Sequence, residues 1–241
     1  MIAGISDLAL IAQNLREYHL WTKPVILLSL IIYFTKGSKL IQGSFLRKSV
    51  LAALVFSLVG DMLMMFPRLF SYGLGAYLMA FICYIFAFKL SQRNATNFSG
   101  FYIIRLFLYN LPFYFMTAIL YFLIHYKLGS MKIPIIIHIC VMVIMVTTAR
   151  ERFRKTQAES FWQVMLGSFL FFVSQGIYLM DLFYRPLPDA AIMIIGTYLL
   201  AQLLIVMGIR SHFLNVLSEK LGVSGDKKAT DRKKKTRSGQ S

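Results

Sequence analysis

Asp61 lies in the run SVLAALVFSLVGDMLMMF, residues 49–66, which carries no other charge and approaches the length of a bilayer span. An ionised acid in hydrocarbon costs several kcal/mol, so a carboxyl there faces a polar cavity, holds a proton, or pairs with a cation. Held protonated, it is a general acid; as a structural group, it is half of an ion pair or a polar contact between helices. Gln175 is a second polar residue inside an apolar run. Its amide offers two donors and an acceptor, which can hold a water or a headgroup but cannot transfer a proton. His19, His125, His138 and His212 are dispersed without metal-ligand spacing, so neither a metal site nor a cofactor is expected. His138 alone falls inside an apolar run and reads as a hydrogen-bonded structural histidine. Cys83 and Cys140 lie in apolar helices and imply no disulfide framework.

The elements that must position these groups are membrane helices. A 241-residue chain that is 58% hydrophobic and 15% charged is too apolar for an ordinary soluble domain. Its mean hydropathy of +0.65 agrees. Apolar stretches recur at 49–66, 72–88, 106–124, 133–149, 162–183 and 190–209. Residues 24–34 add a shorter span, with Pro24 in its first turn and Trp21 as an interfacial anchor. Residues 1–12 are too short to cross alone and carry Asp7; they read as a ragged first helix or as the continuation of a chain that begins upstream. No signal peptide is expected there. The fold class is therefore all-α and polytopic, with about eight transmembrane helices, forming one membrane domain over residues 1–209.

Eight spans with both termini inside place Lys36, Lys39, Arg47, Lys48, Lys89, Arg93, Arg105, Arg150, Arg152, Arg154 and Lys155 on the cytoplasmic side. The other side receives Arg16, Lys23, Arg68, Lys127, Lys132 and Arg185. Eleven against six satisfies the positive-inside rule, and the expected home is the cell (inner) membrane. Sequons at Asn94 and Asn97 fall on the cytoplasmic side, where they would not be glycosylated. Much of the +16 charge sits in residues 210–241, with Lys227, Lys228, Arg232, Lys233, Lys234, Lys235 and Arg237 among small polar residues. That segment reads as a disordered cytoplasmic tail that sets topology or meets anionic headgroups. Nucleic-acid binding is excluded, since no accompanying module or interleaved aromatics are present.

A faint repeat relates the two halves. Gly75-Ala76-Tyr77-Leu78-Met79-Ala80 resembles Gly196-Thr197-Tyr198-Leu199-Leu200-Ala201, and aligning the preceding helices sets Gln175 opposite Asp61. The offset is four helices, which predicts parallel halves with a site at their interface. In the eight-span topology Asp61 is about 7 Å and Gln175 about 12 Å from the outer ends of their helices. Tyr77 and Tyr198 start helices that re-enter from that side, and Lys23 opens another. These five residues are expected to line one cavity in the outer half, unless the tyrosines belong to an interfacial belt.

Lys23-Pro24, Ser57-Leu58-Val59-Gly60-Asp61, Gly73-Leu74-Gly75-Ala76-Tyr77-Leu78-Met79-Ala80 with Tyr84, and Thr197-Tyr198-Leu199-Leu200-Ala201-Gln202-Leu203-Leu204 resemble the YhhN family of lysoplasmalogenase-like membrane proteins. The match runs in order over roughly residues 23–208. The resemblance implies an eight-helix fold and hydrolysis of the vinyl-ether bond of lysoplasmalogens, giving a fatty aldehyde. It implies Asp61 as proton donor, Gln175 and Ser174 positioning water, and a lysophospholipid substrate met by Lys23, Tyr77, Tyr84, Tyr198 and Gln202. This chain departs from the family at Gln175, where an Asp is usual, and at Phe81, where a His is frequent. Those departures leave a second reading: a silent relative that binds or transports a lipid or small amphiphile. Asp181 is no substitute for the second carboxylate, being about 240° further around the helix than Gln175.

Overall fold

The computed structural model describes the backbone of residues 16–38, 44–92 and 100–237, and side chains within 24–38, 44–92 and 107–218. Seven α-helices occur among them: α1 (Arg16–Gly37), α2 (Phe45–Met64), α3 (Phe70–Leu90), α4 (Gly100–Ile124), α5 (Lys132–Arg150), α6 (Ala158–Phe183) and α7 (Ala190–Arg237). No strand is present among the described residues. The expected first helix lies outside them. Among the described residues, five helical segments are long and apolar enough to cross a membrane, one at each of α3 to α7, and residues 24–37 form a shorter apolar helix. Large apolar side chains such as Val59, Phe115, Phe122, Ile144 and Leu200 point outward, while Asp61, Ser57, His138, Gln175 and Gln202 are buried. This inversion belongs to a bundle whose solvent is lipid; the protein is an all-α polytopic membrane protein.

Two boundaries differ from the sequence reading. α1 begins at Arg16, so Pro24 stands inside the helix and not in its first turn. Membrane helices accept such a proline because neighbouring groups satisfy the freed carbonyl, and α4 does the same with Pro112. At the other end, helical backbone runs past residue 209 to Arg237. No proline follows Pro188 to stop it, and Lys, Glu, Leu and Ala sustain it. The boundary at 209 marks a change of charge, not of secondary structure.

α2 packs along α3 and α6 along α7, the two most extensive helix pairs, while α5 lies against both α3 and α6. Small residues set the closeness of each pair. A Cβ on Gly167 would stand 2.8 Å from the Ala201 carbonyl oxygen and 2.9 Å from the Ile205 nitrogen, so α6 and α7 touch backbone to backbone there. Gly208 sits equally tightly against Val164. Gly167→Ala is therefore expected to destabilise the protein by about 1–3 kcal/mol. The gain in helix propensity, up to ~1 kcal/mol, does not offset a clash with backbone that cannot rotate away. Thermal unfolding in detergent checks this; a variant as stable as the parent would contradict the close contact.

A larger group of basic residues gathers at one end of the bundle. Lys89 pairs with Glu151, and Lys155 donates to Gln92 Oε1 at 3.1 Å. Arg47 donates to Ser38 Oγ at 2.8 Å, and Arg150 to the Tyr109 carbonyl. Arg152 is fully buried there. It donates to Ser160 Oγ at 2.8 Å, which in turn donates to the Gly208 carbonyl at 2.7 Å. Burial alone lowers its guanidinium to about 9, so it remains cationic at neutral pH. The opposite end is closed by Lys127 on the Tyr184 carbonyl and by Asp181, whose Oδ1 accepts the Leu187 N–H at 2.8 Å. Asp181 thus secures the α6–α7 turn.

Candidate functional site

Three helices bring a stripe of polar residues to the interior. Ser57 and Asp61 are one turn apart on α2, Tyr77 and Tyr84 two turns apart on α3, and Tyr198 and Gln202 one turn apart on α7. They meet in two tiers. In the first, Tyr77 donates its hydroxyl to Asp61 Oδ1 at 2.5 Å and Tyr198 donates to Asp61 Oδ2 at 2.8 Å. In the second, Tyr84 donates to Gln202 Oε1 at 2.5 Å, and Gln202 Nε2 donates to Ser57 Oγ at 3.3 Å. These side chains join the α2–α3 pair to α7, which is how the two halves of the bundle are held in register across the site.

Asp61 is only 8% exposed. Each phenol bonded to it contributes about 1.5–3 kcal/mol as a hydrogen bond to a charged group, which helps to offset desolvation of the carboxylate. The carboxyl plane is fixed by two donors from opposite halves. Tyr77 can cross α2 because residue 60 is glycine: a Cβ there would stand 2.8 Å from the Tyr77 ring. Tyr77 and Tyr198 are buried, not interfacial, and their rings meet edge to face at 6.3 Å. Phe171 of α6 completes the wall, stacked on Tyr198 at 5.4 Å and edge-on to Phe81 at 5.3 Å. Asp61 is therefore a buried carboxyl walled by packed aromatic rings.

Gln175 is buried, 5% exposed, one turn beyond Phe171 on α6. Its neighbour is His138 of α5, whose ring also packs against Phe81 at 5.1 Å. Gln175 and Asp61 are thus both buried in the bundle interior. Ser174 points the other way and donates to the Ile194 carbonyl at 2.9 Å, tying α6 to α7. The side chain of Lys23 lies outside the described residues.

Residues 18–209 match the model of the YhhN family. The chain belongs to the YhhN family. It is 28% identical over 155 residues to a human protein named lysoplasmalogenase TMEM86B, a stretch covering 64% of this chain and 60% of that one. The chain thus aligns with less than two thirds of its curated relative. No solved structure gives a significant match.

Of the residues expected at this YhhN site, Asp61, Tyr77 and Tyr198 form one cluster, and Tyr84 and Gln202 the tier beside it. Gln175 belongs to a separate polar pair with His138. Ser57, Phe171 and Gly60 were not singled out as site residues. Ser57 had a legible signal in its i−4 spacing from Asp61; a phenylalanine in an apolar helix had none. The two tyrosines that the repeat aligns are the two that donate to Asp61.

Proposed function

We propose that this YhhN-family protein is a membrane hydrolase that cleaves the vinyl-ether bond of lysoplasmalogens, releasing a fatty aldehyde and a glycerophospho-headgroup alcohol. The observation that carries this reading is a buried carboxyl, positioned by two phenols, against a wall of aromatic rings inside a membrane bundle. Vinyl-ether hydrolysis begins with a proton delivered to carbon and passes through an oxocarbenium ion, so it needs a general acid in a partly dry site. Asp61 supplies the proton when its carboxyl is in the acid form. Its carboxylate, left beside the new cation, stabilises it electrostatically. The rings of Tyr77, Phe171 and Tyr198 accommodate the alkenyl chain, and Lys23 meets the phosphate at the interface. The human relative named as a lysoplasmalogenase supports the same substrate class.

A second reading keeps the lipid ligand without the chemistry: a lipid-binding or lipid-transporting relative. The amide at Gln175 favours it, because a second carboxylate is missing. Release of aldehyde from a lysoplasmalogen by the purified protein separates the two. Binding without release supports the carrier.

The basic end of the bundle is the cytoplasmic end in this reading, with both termini inside the cell membrane and the Asp61 site in the outer half. Reporter fusions in the 150–155 joint and after residue 218 are expected to report the same, cytoplasmic, side. Opposite sides would require an odd number of crossings between them and would break the helix assignment.

A further inference from the structure

Arg152 is the buried charge that the mechanism above leaves unused. It stands just past the end of α5, at the basic end of the bundle, and is fully buried. Its Nη2 donates to Ser160 Oγ at 2.8 Å, and its guanidinium lies over the Phe88 ring at 5.9 Å. Its Nε and Nη1, which carry three of its five N–H bonds, have no hydrogen-bond partner among the described residues. Nε2 of Gln92 is likewise buried without one. Gln92 follows Phe88 by four residues past the end of α3, and its Oε1 accepts from Lys155 at 3.1 Å. The Lys155 N–H in turn donates to the Arg152 carbonyl at 3.0 Å. The unmet donors of Arg152 and Gln92 thus belong to one cluster, closed by Lys155. Gln92 and Lys155 are only half-buried, so this cluster borders the surface of the bundle. The acids nearest in the chain are engaged elsewhere, Glu151 with Lys89 and Glu159 with Gln163. A buried cation with unmet donors and no described carboxylate in ion-pair reach lacks its counter-charge.

We propose that Arg152, Gln92 and Lys155 form a binding site for the phosphate group of an anionic lipid headgroup, separate from the Asp61 site. The site does not depend on the hydrolase reading. The guanidinium and the ammonium only donate, the amide Nε2 donates beside them, and the oxygens of a phosphodiester only accept, so the two sets match. Lys155 turns from Gln92 to the phosphate, a rotamer change of a long side chain at the rim. The joint also lies where headgroups lie. Phe153 and Trp162 are 54% and 56% exposed, and both pack on Phe161, at 5.2 and 5.3 Å. Exposed aromatic rings beside basic residues mark the membrane–water interface. Lys48, Lys89 and Arg154 are exposed at the same end, and their field draws anionic headgroups toward it. Phe88 is eleven residues beyond Tyr77 on α3, about 16 Å along the axis, which separates this site from Asp61.

The test follows thermal unfolding of the full chain in a neutral detergent on addition of phosphatidylglycerol, phosphatidylcholine or sodium phosphate. Phosphatidylglycerol is expected to raise the Tm, and phosphatidylcholine to raise it much less. That rise is expected to be lost in Arg152→Gln, which keeps a donor for Ser160, and retained in Arg154→Gln, which removes an exposed charge from the same joint. Gln92→Leu removes an unmet donor without changing charge; it should lose part of the rise, and it serves as the test if Arg152→Gln does not fold. A merely structural arginine would lower the Tm of Arg152→Gln and leave the rise intact, which overturns the site. No rise with phosphatidylglycerol in wild type overturns it as well, as does an equal loss of the rise in Arg154→Gln, which would assign it to general positive charge. An equal rise with sodium phosphate would replace the lipid by free phosphate and overturn the headgroup assignment.

Discussion

Asp61→Asn is expected to abolish aldehyde release while leaving lysoplasmalogen binding within a few-fold of wild type. An amide keeps the size and most of the polarity of the carboxyl but has no proton to give to carbon, and general acid catalysis contributes roughly 10²- to 10⁴-fold. The loss should lie toward the upper end, since the same group also stabilises the oxocarbenium ion. The substitution has a structural cost that must be measured beside the kinetics. Tyr77 and Tyr198 each donate to one carboxyl oxygen, and an asparagine presents only one oxygen, so one phenol loses its acceptor. A buried group left unsatisfied costs about 1–3 kcal/mol, visible as a lower Tm. Turnover and Tm together decide the matter: a folded Asp61→Asn protein that still releases aldehyde would remove Asp61 from the chemistry.

Gln175→Asp is expected to raise aldehyde release about tenfold. The new carboxylate would stand beside His138, where it orients the imidazole and adds negative charge near the oxocarbenium centre. The opposing effect is burial of a second acid at a position that is 5% exposed. The adjacent imidazole, which can donate a hydrogen bond to the new carboxylate, helps to offset that burial. Steady-state aldehyde release by the folded variant measures the balance. No gain, in a protein whose thermal stability and lipid binding are intact, would mean that position 175 does not reach the reacting atoms.

The sequence made the bundle legible because hydropathy is a one-dimensional signal: runs of apolar residues declare themselves without knowledge of their neighbours. Asp61 was legible for the same reason, as one charge in such a run. Its two tyrosines were reachable through the repeat and through the motifs that resemble the YhhN family, since a tyrosine near a helix end is otherwise an interfacial residue. The Lys89–Glu151 and Lys155–Gln92 contacts bring two of the basic connections together at one end of the bundle. Pairings across the bundle stayed hidden. Nothing in α5 marks His138 as the neighbour of Gln175, because helix rotation is set by packing and the inward face of an all-apolar helix has no polar boundary to reveal it. Ser174 shows the same limit: it is next to Gln175 in the chain, yet its hydroxyl points to α7 and serves the backbone. The helix ends were misjudged where proline was taken as a start signal, a rule that holds in water and relaxes in lipid.

The central claim is that the buried Asp61 carboxyl protonates a vinyl ether, and the most direct test compares two substrates that differ only in that double bond. Purified wild-type protein would be given a lysoplasmalogen and the matched saturated-ether lysophospholipid, with aldehyde and free glycerophospho-alcohol quantified in each. The account predicts equal amounts of aldehyde and alcohol from the vinyl ether and neither from the saturated ether, which offers no carbon that can be protonated to an oxocarbenium ion. Binding of both lipids with no aldehyde from either would contradict it and leave a lipid-binding protein.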